Sequence, residues 1–216
     1  MNELNTRHIR TYGRLRCRSI DTSIMDNNSY LHKNIPHILK NNKNLTLEIG
    51  FGNGEVLLHR AYKHYSQQHL GVEVYQNGIC KVLKYLKYNP IENIYIYPID
   101  VRDFWPLLKD QVLFQEIYLL FPDPWHKKSL IKKEKKRLAN GDLINHIYDK
   151  LLPGGYFFFA TDHLDYYDSV KNLLLTTGNF LMVKESINDY LNDNFVLSNY
   201  EKKATNARYY LQAIRN

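Results

Sequence analysis

The run Phe121-Pro122-Asp123-Pro124-Trp125-His126-Lys127-Lys128 holds a carboxylate between two prolines and follows it with an indole, an imidazole and two cations. Prolines restrict the backbone on both sides of Asp123, so the carboxylate is presented from a stiff turn. An aromatic face and positive charge stand beside it. Such a set suits a flat, hydrogen-bonding ring attached to a polyanion, which points to a nucleobase. The plainer reading of Asp123 is a turn carboxylate bonding its own backbone, and that of Trp125 is core packing. His126 has no partner at metal-ligand spacing. Lys127, Lys128, Lys132, Lys133, Lys135, Lys136 and Arg137, opposed only by Glu134, read as a grip on RNA backbone, or more blandly as a solvated helix face.

A second constellation precedes it. Leu47 to Glu55 reads LEIGFGNGE, with Gly50, Gly52 and Gly54 between a strand-like and a helix-like segment, the arrangement of a nucleotide-class loop. A dinucleotide fingerprint requires G-x-G-x-x-G, but Glu55 stands near the helix start, where a pyrophosphate would sit. A P-loop is excluded because no G-K-[ST] follows. Glu48 and Glu55 instead suit a ligand end that carries a cation, such as an amino-acid ammonium. Glu73 lies at the distance past the glycines where an acid accepts ribose hydroxyls, and Asp100 can take an exocyclic adenine amine. Each acid alone is as readily a solvated strand end. Jointly they describe adenosine joined to a cationic arm, which is S-adenosyl-L-methionine.

The elements that must position these groups follow from periodicity. Apolar patterning predicts a helix near Tyr30 to Lys40, a strand at Leu45 to Ile49 and a helix at Gly54 to Tyr65. Further strands are expected at Leu70 to Val74, Ile94 to Tyr97, Ile117 to Phe121 and Tyr156 to Ala160, with helical segments such as Asn77 to Tyr88 and Leu143 to Leu152 between them. Pro153-Gly154-Gly155 stops a helix and turns the chain into the next strand. Phe180 to Val183 and Ala207 to Ile214 read as two more strands, with Ser186 to Ala204 as a long connection of the kind that is usually functional. Alternation of this kind implies an α/β, doubly wound, mostly parallel sheet with helices on both faces. In such sheets ligands bind beyond the carboxyl ends of the strands, where Glu48, Glu73, Asp100, Asp123 and Asp162 all fall.

Size and charge bound the answer. With 216 residues, 44% of them hydrophobic, the chain suffices for one full domain and is short for two. A formal net charge of +7 favours a polyanionic partner. Residues 1–28 carry Arg7, Arg10, Arg14, Arg16 and Arg18 with little apolar periodicity and read as a basic, flexible arm that tethers phosphates. A single domain then spans 29–216. No secretory leader or membrane span is indicated, so a cytoplasmic protein is expected. Cys17 and Cys80 lack CxxC or His-spaced partners, which supports neither a disulfide framework nor a zinc site, and no metal is expected. Nothing demands an obligate protein partner, and a monomer or a homodimer fits equally.

LEIGFGNGE, Gly71-Val72-Glu73, Asp100, FPDPWHKK, Leu151-Leu152-Pro153-Gly154-Gly155, Thr161-Asp162-His163 and LSNYEKK at Leu197 to Lys203 occur in an order that resembles the bacterial tRNA (guanine-N7)-methyltransferases, and Arg10 to Arg16 resembles their basic arm. The resemblance covers nearly the whole chain. It implies the seven-stranded, Rossmann-like fold of class I S-adenosylmethionine-dependent methyltransferases and methyl transfer to N7 of a guanine in the tRNA variable loop. It further implies that Glu48, Gly50, Gly52, Glu73, Asp100 and Asp123 line the cofactor and reaction site, with Asp123 as the catalytic group. Lys127, Asp162, Ser198, Asn199, Tyr200 and Glu201 would contact tRNA. Two departures stand out: Ser198 replaces the family's usual threonine, and Ser129-Leu130 replaces the more frequent Arg-His. The rival readings are a methyltransferase acting on an exocyclic base amine, a non-catalytic RNA-binding protein with this fold, and a nicotinamide-dependent oxidoreductase, the last weakened by Glu55.

Overall fold

A computed structural model describes residues 22–35, 39, 43–108, 113–124, 137–190, 192, 195–196, 198, 201 and 205–216. Arg7 to Arg18, the lysine run, Trp125, Lys127, Asn199 and Tyr200 lie outside the described residues.

Seven strands form one sheet in the order β3-β2-β1-β4-β5-β7-β6. They are β1 (Leu45–Ile49), β2 (Gln68–Val72), β3 (Ile94–Tyr97), β4 (Phe114–Leu120), β5 (Leu151–Thr161), β6 (Phe180–Ile187) and β7 (Tyr209–Arg215). The first five pair in parallel, and β7 runs antiparallel to both β5 and β6. Every residue of β1 is buried, as a central strand covered on both faces requires.

The covering helices are α1 (Glu55–Lys63), α2 (Gln76–Tyr88), the short α3 (Val101–Phe104), α4 (Gly141–Lys150) and α5 (Leu164–Thr177). Leu45, Leu47 and Ile49 of β1 pack with Ile117, Leu119, Phe157 and Phe159 against Leu143, Ile147, Tyr166 and Val170 of α4 and α5. On the opposite face, α1 and α2 bury Leu57, Ala61, Val82 and Leu83 with Ile94 and Ile96. A smaller aromatic cluster of Tyr118, Phe158 and Tyr210 is capped by Phe195 from the connection between β6 and β7.

Three sequence expectations change. The described residues from Tyr30 to Ile35 form no helix: Leu31 bridges Ile96 in parallel, His32 N donates to Ile96 O at 2.9 Å and Ile96 N to Tyr30 O at 2.9 Å. Tyr30 to His32 therefore pair with the open edge of β3 at Ile96, a need that helical periodicity does not reveal. The helix before Pro153 ends at Lys150, and β5 already runs through Leu151–Leu152. Its pairing with β4 jumps from Phe114↔Leu151 to Glu116↔Tyr156, so Pro153-Gly154-Gly155 forms a bulge inside the strand. Part of the presumed arm belongs to the body, since Thr22–Met25 forms a 3-10 turn whose Ile24 and Met25 pack on the α1/α2 cluster.

Beneath α1 lies a buried polar layer. His69 of β2 is fully buried, its Nδ1 2.8 Å from Thr46 Oγ1 and its Nε2 3.3 Å from His64 O. Burial and the nearby Arg60 push its pKa down to about 3. The unfolded chain therefore binds a proton that the folded chain refuses between about pH 6.5 and 3. Stability should fall as pH drops through that window, by about 2 kcal/mol from pH 7 to pH 5 for this group alone. Urea unfolding of wild type and His69→Gln at both pH values checks this, the variant losing less; an equal loss would contradict it.

Candidate functional site at the strand ends

The glycine loop between β1 and α1 turns through left-handed backbone, with φ of 72° at Gly50 and 56° at Gly52. A Cβ built on either would meet nothing within 4 Å, so both face open space on the cleft side. Two contacts hold this loop. Glu73, just past β2, accepts from Gly52 N at 2.7 Å through Oε2, and from Val74 N at 2.6 Å and Tyr75 N at 2.8 Å through Oε1. Gly78 in the first turn of α2 lies so close that an added Cβ would sit 1.9 Å from Gly52 O. Gly78 was missed in the sequence; the available signal was an isolated glycine inside a helical pattern.

One cleft of about 1380 Å³ is lined by Glu48, Gly50, Gly52, Glu73, Asp100, Asp123, Ser198 and Glu201 together. Glu48 of β1, 3% exposed, lines this cleft, and its buried Oε2 lacks a hydrogen-bond partner among the described residues and lies 3.7 Å from Arg60 Nη1. Burial raises its pKa to about 8, partly countered by Arg60, while Glu55 and Glu73 raise it further. Asp100 caps α3 by accepting from Arg102 N at 2.9 Å, and both its oxygens also hold the Arg102 guanidinium, at 2.8 and 2.6 Å. Trp105 stacks on His146 of α4, with ring centroids 5.7 Å apart, and both line the cleft.

Across the cleft, β4 ends at Leu120, one residue before its expected end, because Phe121 adopts φ of 50°. A side chain rarely takes that conformation, least of all before a proline, where extended backbone is favoured. The turn is retained by Phe121 N donating to Ala160 O at 2.8 Å and by the Phe121 ring packing edge-on against Tyr210. Asp123 emerges exposed from this turn. Arg137 is not the RNA-gripping cation that the lysine run suggested. It is 5% exposed, donates from Nε to Pro124 O at 3.1 Å, pairs with Asp165 Oδ2 at 2.6 Å and lies 4.4 Å over the Tyr166 ring. Its task is to tie the Asp-Pro turn to α5.

Asp162 stands at the end of β5, 3.4 Å from His163 Nε2, and is not among the residues lining the cleft. Ser198 and Glu201 form a reciprocal box: Ser198 N donates to Glu201 Oε2 at 3.0 Å and Glu201 N to Ser198 Oγ at 3.2 Å. Glu201 Oε1 also accepts from buried Tyr210 at 2.6 Å. This is the S-x-x-E capping signature, legible in Ser198-Asn199-Tyr200-Glu201 but read there only as substrate contacts. The box anchors the connection to β7 at the cleft's edge. Among the described residues no group of three or more His, Cys, Asp or Glu could hold a metal ion, and no helix is long and apolar enough to cross a membrane.

Known proteins resemble the chain at two levels. A family model described as a methyltransferase matches residues 42–211. A tRNA (guanine-N(7)-)-methyltransferase of Buchnera aphidicola is 33% identical over 178 residues, which cover 81% of this chain and 71% of that protein. A bifunctional methyltransferase of Rickettsia typhi is 36% identical over 166 residues, covering 76% of this chain but 31% of its own length. The chain thus spans about a third of the bifunctional Rickettsia proteins it matches. Among solved structures, an antibiotic-related methyltransferase aligns with a TM-score of 0.59 at 18% identity over 93% of this chain and 96% of its own. A 16S rRNA (adenine(1408)-N(1))-methyltransferase of Catenulisporales acidiphilia, solved with SAM, aligns at 0.58 and 13% identity, covering 81% and 87%. At those identities the two structures establish the fold alone.

The contact between α2 and the glycine loop yields a direct test. Gly78→Ala forces backbone apart and should cost about 1–3 kcal/mol. Gly141→Ala, whose Cβ would meet nothing within 4 Å, should be neutral or slightly stabilising. Urea unfolding of the two variants side by side checks the contrast, and equal stabilities would refute the close approach.

Proposed function

This chain belongs to the tRNA (guanine-N(7)-)-methyltransferase family, and from that premise we propose that it transfers a methyl group from S-adenosyl-L-methionine to N7 of a guanine in tRNA. The observation that carries this reading is the single cleft that gathers Glu48, Gly50, Gly52, Glu73, Asp100 and Asp123 at the strand ends.

The residues fit the donor. Glu48 lines the cleft with a buried carboxyl group that accepts no hydrogen bond at Oε2 among the described residues and that Arg60 reaches only at 3.7 Å, which suits the ammonium of an amino-acid arm. Gly50 and Gly52 leave open the space that side chains would fill. Glu73 gives three of its roughly four acceptor positions to backbone, which leaves one for a ribose hydroxyl. Asp100, oriented by Arg102, is placed for the adenine. When bound, S-adenosyl-L-methionine supplies an electrophilic methyl group on a positively charged sulfur.

Guanine N7 carries a lone pair and no proton, so no residue has to act as a base before attack. What the chain must do is hold the base in line, where effective molarity can supply about 7–11 kcal/mol in favourable cases. Positive charge grows on the guanine ring as N7 is alkylated. A carboxylate fixed beside it favours that state over the ground state, and Asp123 holds this role. Its stiff turn and the Arg137 tether keep the carboxylate from drifting. Asp123 also accepts hydrogen bonds from the Watson-Crick edge, which separates guanine from adenine. Lys127, Asp162, Ser198, Asn199, Tyr200 and Glu201 contact the tRNA, and the arginines of residues 7–18 reach its phosphates. Acting on tRNA, the protein works in the cytoplasm.

Incubating the protein with labelled donor and unmodified tRNA, then mapping the product, should reveal 7-methylguanosine in the variable loop; a methylated exocyclic amine would overturn the assignment. Asp123→Asn should lower turnover at least about tenfold, the scale of losing about 1.4 kcal/mol of transition-state stabilisation, with donor affinity nearly intact. Unchanged turnover would remove Asp123 from the mechanism. Affinity for tRNA should fall steeply with salt, by about 0.7 ion per neutralised phosphate in single-stranded contacts, and a flat salt profile would contradict electrostatic gripping.

A further inference from the structure

Arg60 has no place in the reaction just described, yet among the described residues it is the largest fully buried side chain. It projects from α1 onto the sheet, with Nη1 3.7 Å from Glu48 Oε2, Nη2 3.7 Å from Glu116 Oε2 and its guanidinium 3.5 Å over the Tyr118 ring. None of its three nitrogens has a hydrogen-bond partner among the described residues. Glu116 is itself held by Tyr118, whose hydroxyl donates to Oε2 at 2.7 Å. Neighbouring strands set this arrangement: Glu48 of β1 lies beside Tyr118 of β4, and Thr46 beside Glu116. One guanidinium therefore serves two carboxyl groups, and it reaches neither at hydrogen-bonding distance.

We propose that Arg60 is a positioning residue that sets the charge of Glu48, so that the cleft accepts the cationic arm of its ligand in exchange for a proton. The idea rests on the reading of Glu48 as the ammonium acceptor. The charged groups acting on Glu48 are Arg60 and Glu55 from α1 and Glu73 just past β2; Tyr118 of β4 lies beside it in the sheet, while Glu116 of β4 and His69 of β2 act on Arg60. His69, with its pKa pushed down to about 3, is neutral near pH 7 and adds no compensating charge. Burial, with Glu55 and Glu73 adding to it, outweighs the pull of Arg60 and raises the Glu48 pKa to about 8, so that before the ligand arrives the protonated acid is favoured at neutral pH. An arriving ammonium supplies the missing positive charge and displaces that proton. Removing Glu116 hands Arg60 to Glu48 alone and favours its ionised form, whereas removing Arg60 does the opposite.

Calorimetry with S-adenosylhomocysteine, in buffers of different ionisation enthalpy, tests this between pH 6 and 8.5. Wild type should release about one proton per ligand at pH 7, with affinity rising about tenfold per pH unit below pH 8. 5′-Methylthioadenosine, the same nucleoside without the amino-acid arm, should bind with neither effect. Glu116→Gln should move the midpoint of the pH profile down, Arg60→Met should move it up, and Arg60→Lys should restore the wild-type direction. Should Arg60→Met fail to fold, the downward shift in Glu116→Gln still decides the matter. Binding of both ligands without proton release, or a Glu116→Gln midpoint equal to wild type, overturns the role of Arg60 while leaving the cofactor site in place. Failure of wild type to bind either ligand overturns the cofactor reading and this inference with it.

Discussion

Three backbone N–H groups converge on the Glu73 carboxylate, and the cleft owes its shape to that convergence. Gly52 belongs to the exit of β1, while Val74 and Tyr75 lead into α2, so one side chain ties the ends of two neighbouring strands to each other. Hydrogen bonds to an ionised acceptor are about twice as strong as neutral ones. Gly78 completes the constraint from the other side, because its missing Cβ lets α2 seat against the Gly52 carbonyl. A loop with three glycines would otherwise sample many conformations at little steric cost. Phe51 adds to the hold by packing into the α1/α2 core, and Asn53 Oδ1 accepts from Lys81 Nζ at 3.1 Å, while the glycines keep the backbone open toward the cleft.

The acids of the site divide by what already binds them. Glu73 is committed largely to backbone, Asp100 to Arg102, and Glu201 to Ser198 and Tyr210. These carboxylates are pre-oriented by the protein and have limited capacity left for a ligand. Glu48 is the opposite case, buried with one oxygen lacking a hydrogen-bond partner, and Asp123 stands exposed at the lip. A site built this way is rigid where shape is needed and unsatisfied where charge is to be received. In the proposed exchange the charge at Glu48 is set from below the cleft by Arg60, which Glu116 shares.

Much of this was legible in the sequence, for definable reasons. Strands β1 and β3 fall at their expected boundaries, because short apolar runs bounded by polar residues have few alternatives. Strand-end acids followed from the rule that ligands bind beyond the carboxyl ends of parallel strands. What failed were features decided by partners distant in sequence. Arg137 closes a run of lysines and looks like one of them until Asp165 and the Pro124 carbonyl are seen around it. Arg60, one of two cations in the last turn of α1, gives no sign that Glu116 lies across the sheet. Tyr30 to Lys40 carries apolar spacing that suits a helix, yet Leu31 bridges the edge of β3. Two signals were present but unread: the lone glycine of α2 and the capping spacing from Ser198 to Glu201.

The sheet order explains why the two halves of the site can cooperate. Chain order reverses between β1 and β4, since β1 connects outward to β2 and β3 while β4 leads to β5, β7 and β6. Helices following strands on opposite sides of such a switch point diverge, and a crevice opens there. Glu48 and the glycine loop leave β1, whereas the Asp123 turn leaves β4, and the strands are paired in register up to Ile49↔Leu119. Paired strands run about 4.8 Å apart, so donor-side and acceptor-side groups share one hydrogen-bonded frame. Strain at Phe121 can be sustained because the frame over-determines it: the β5 carbonyl of Ala160, the Tyr210 ring and the Arg137 tether all restrain the same turn. For the proposed transfer, which needs no base and depends on alignment, fixing both partners to adjacent strands would be the physical contribution of this fold.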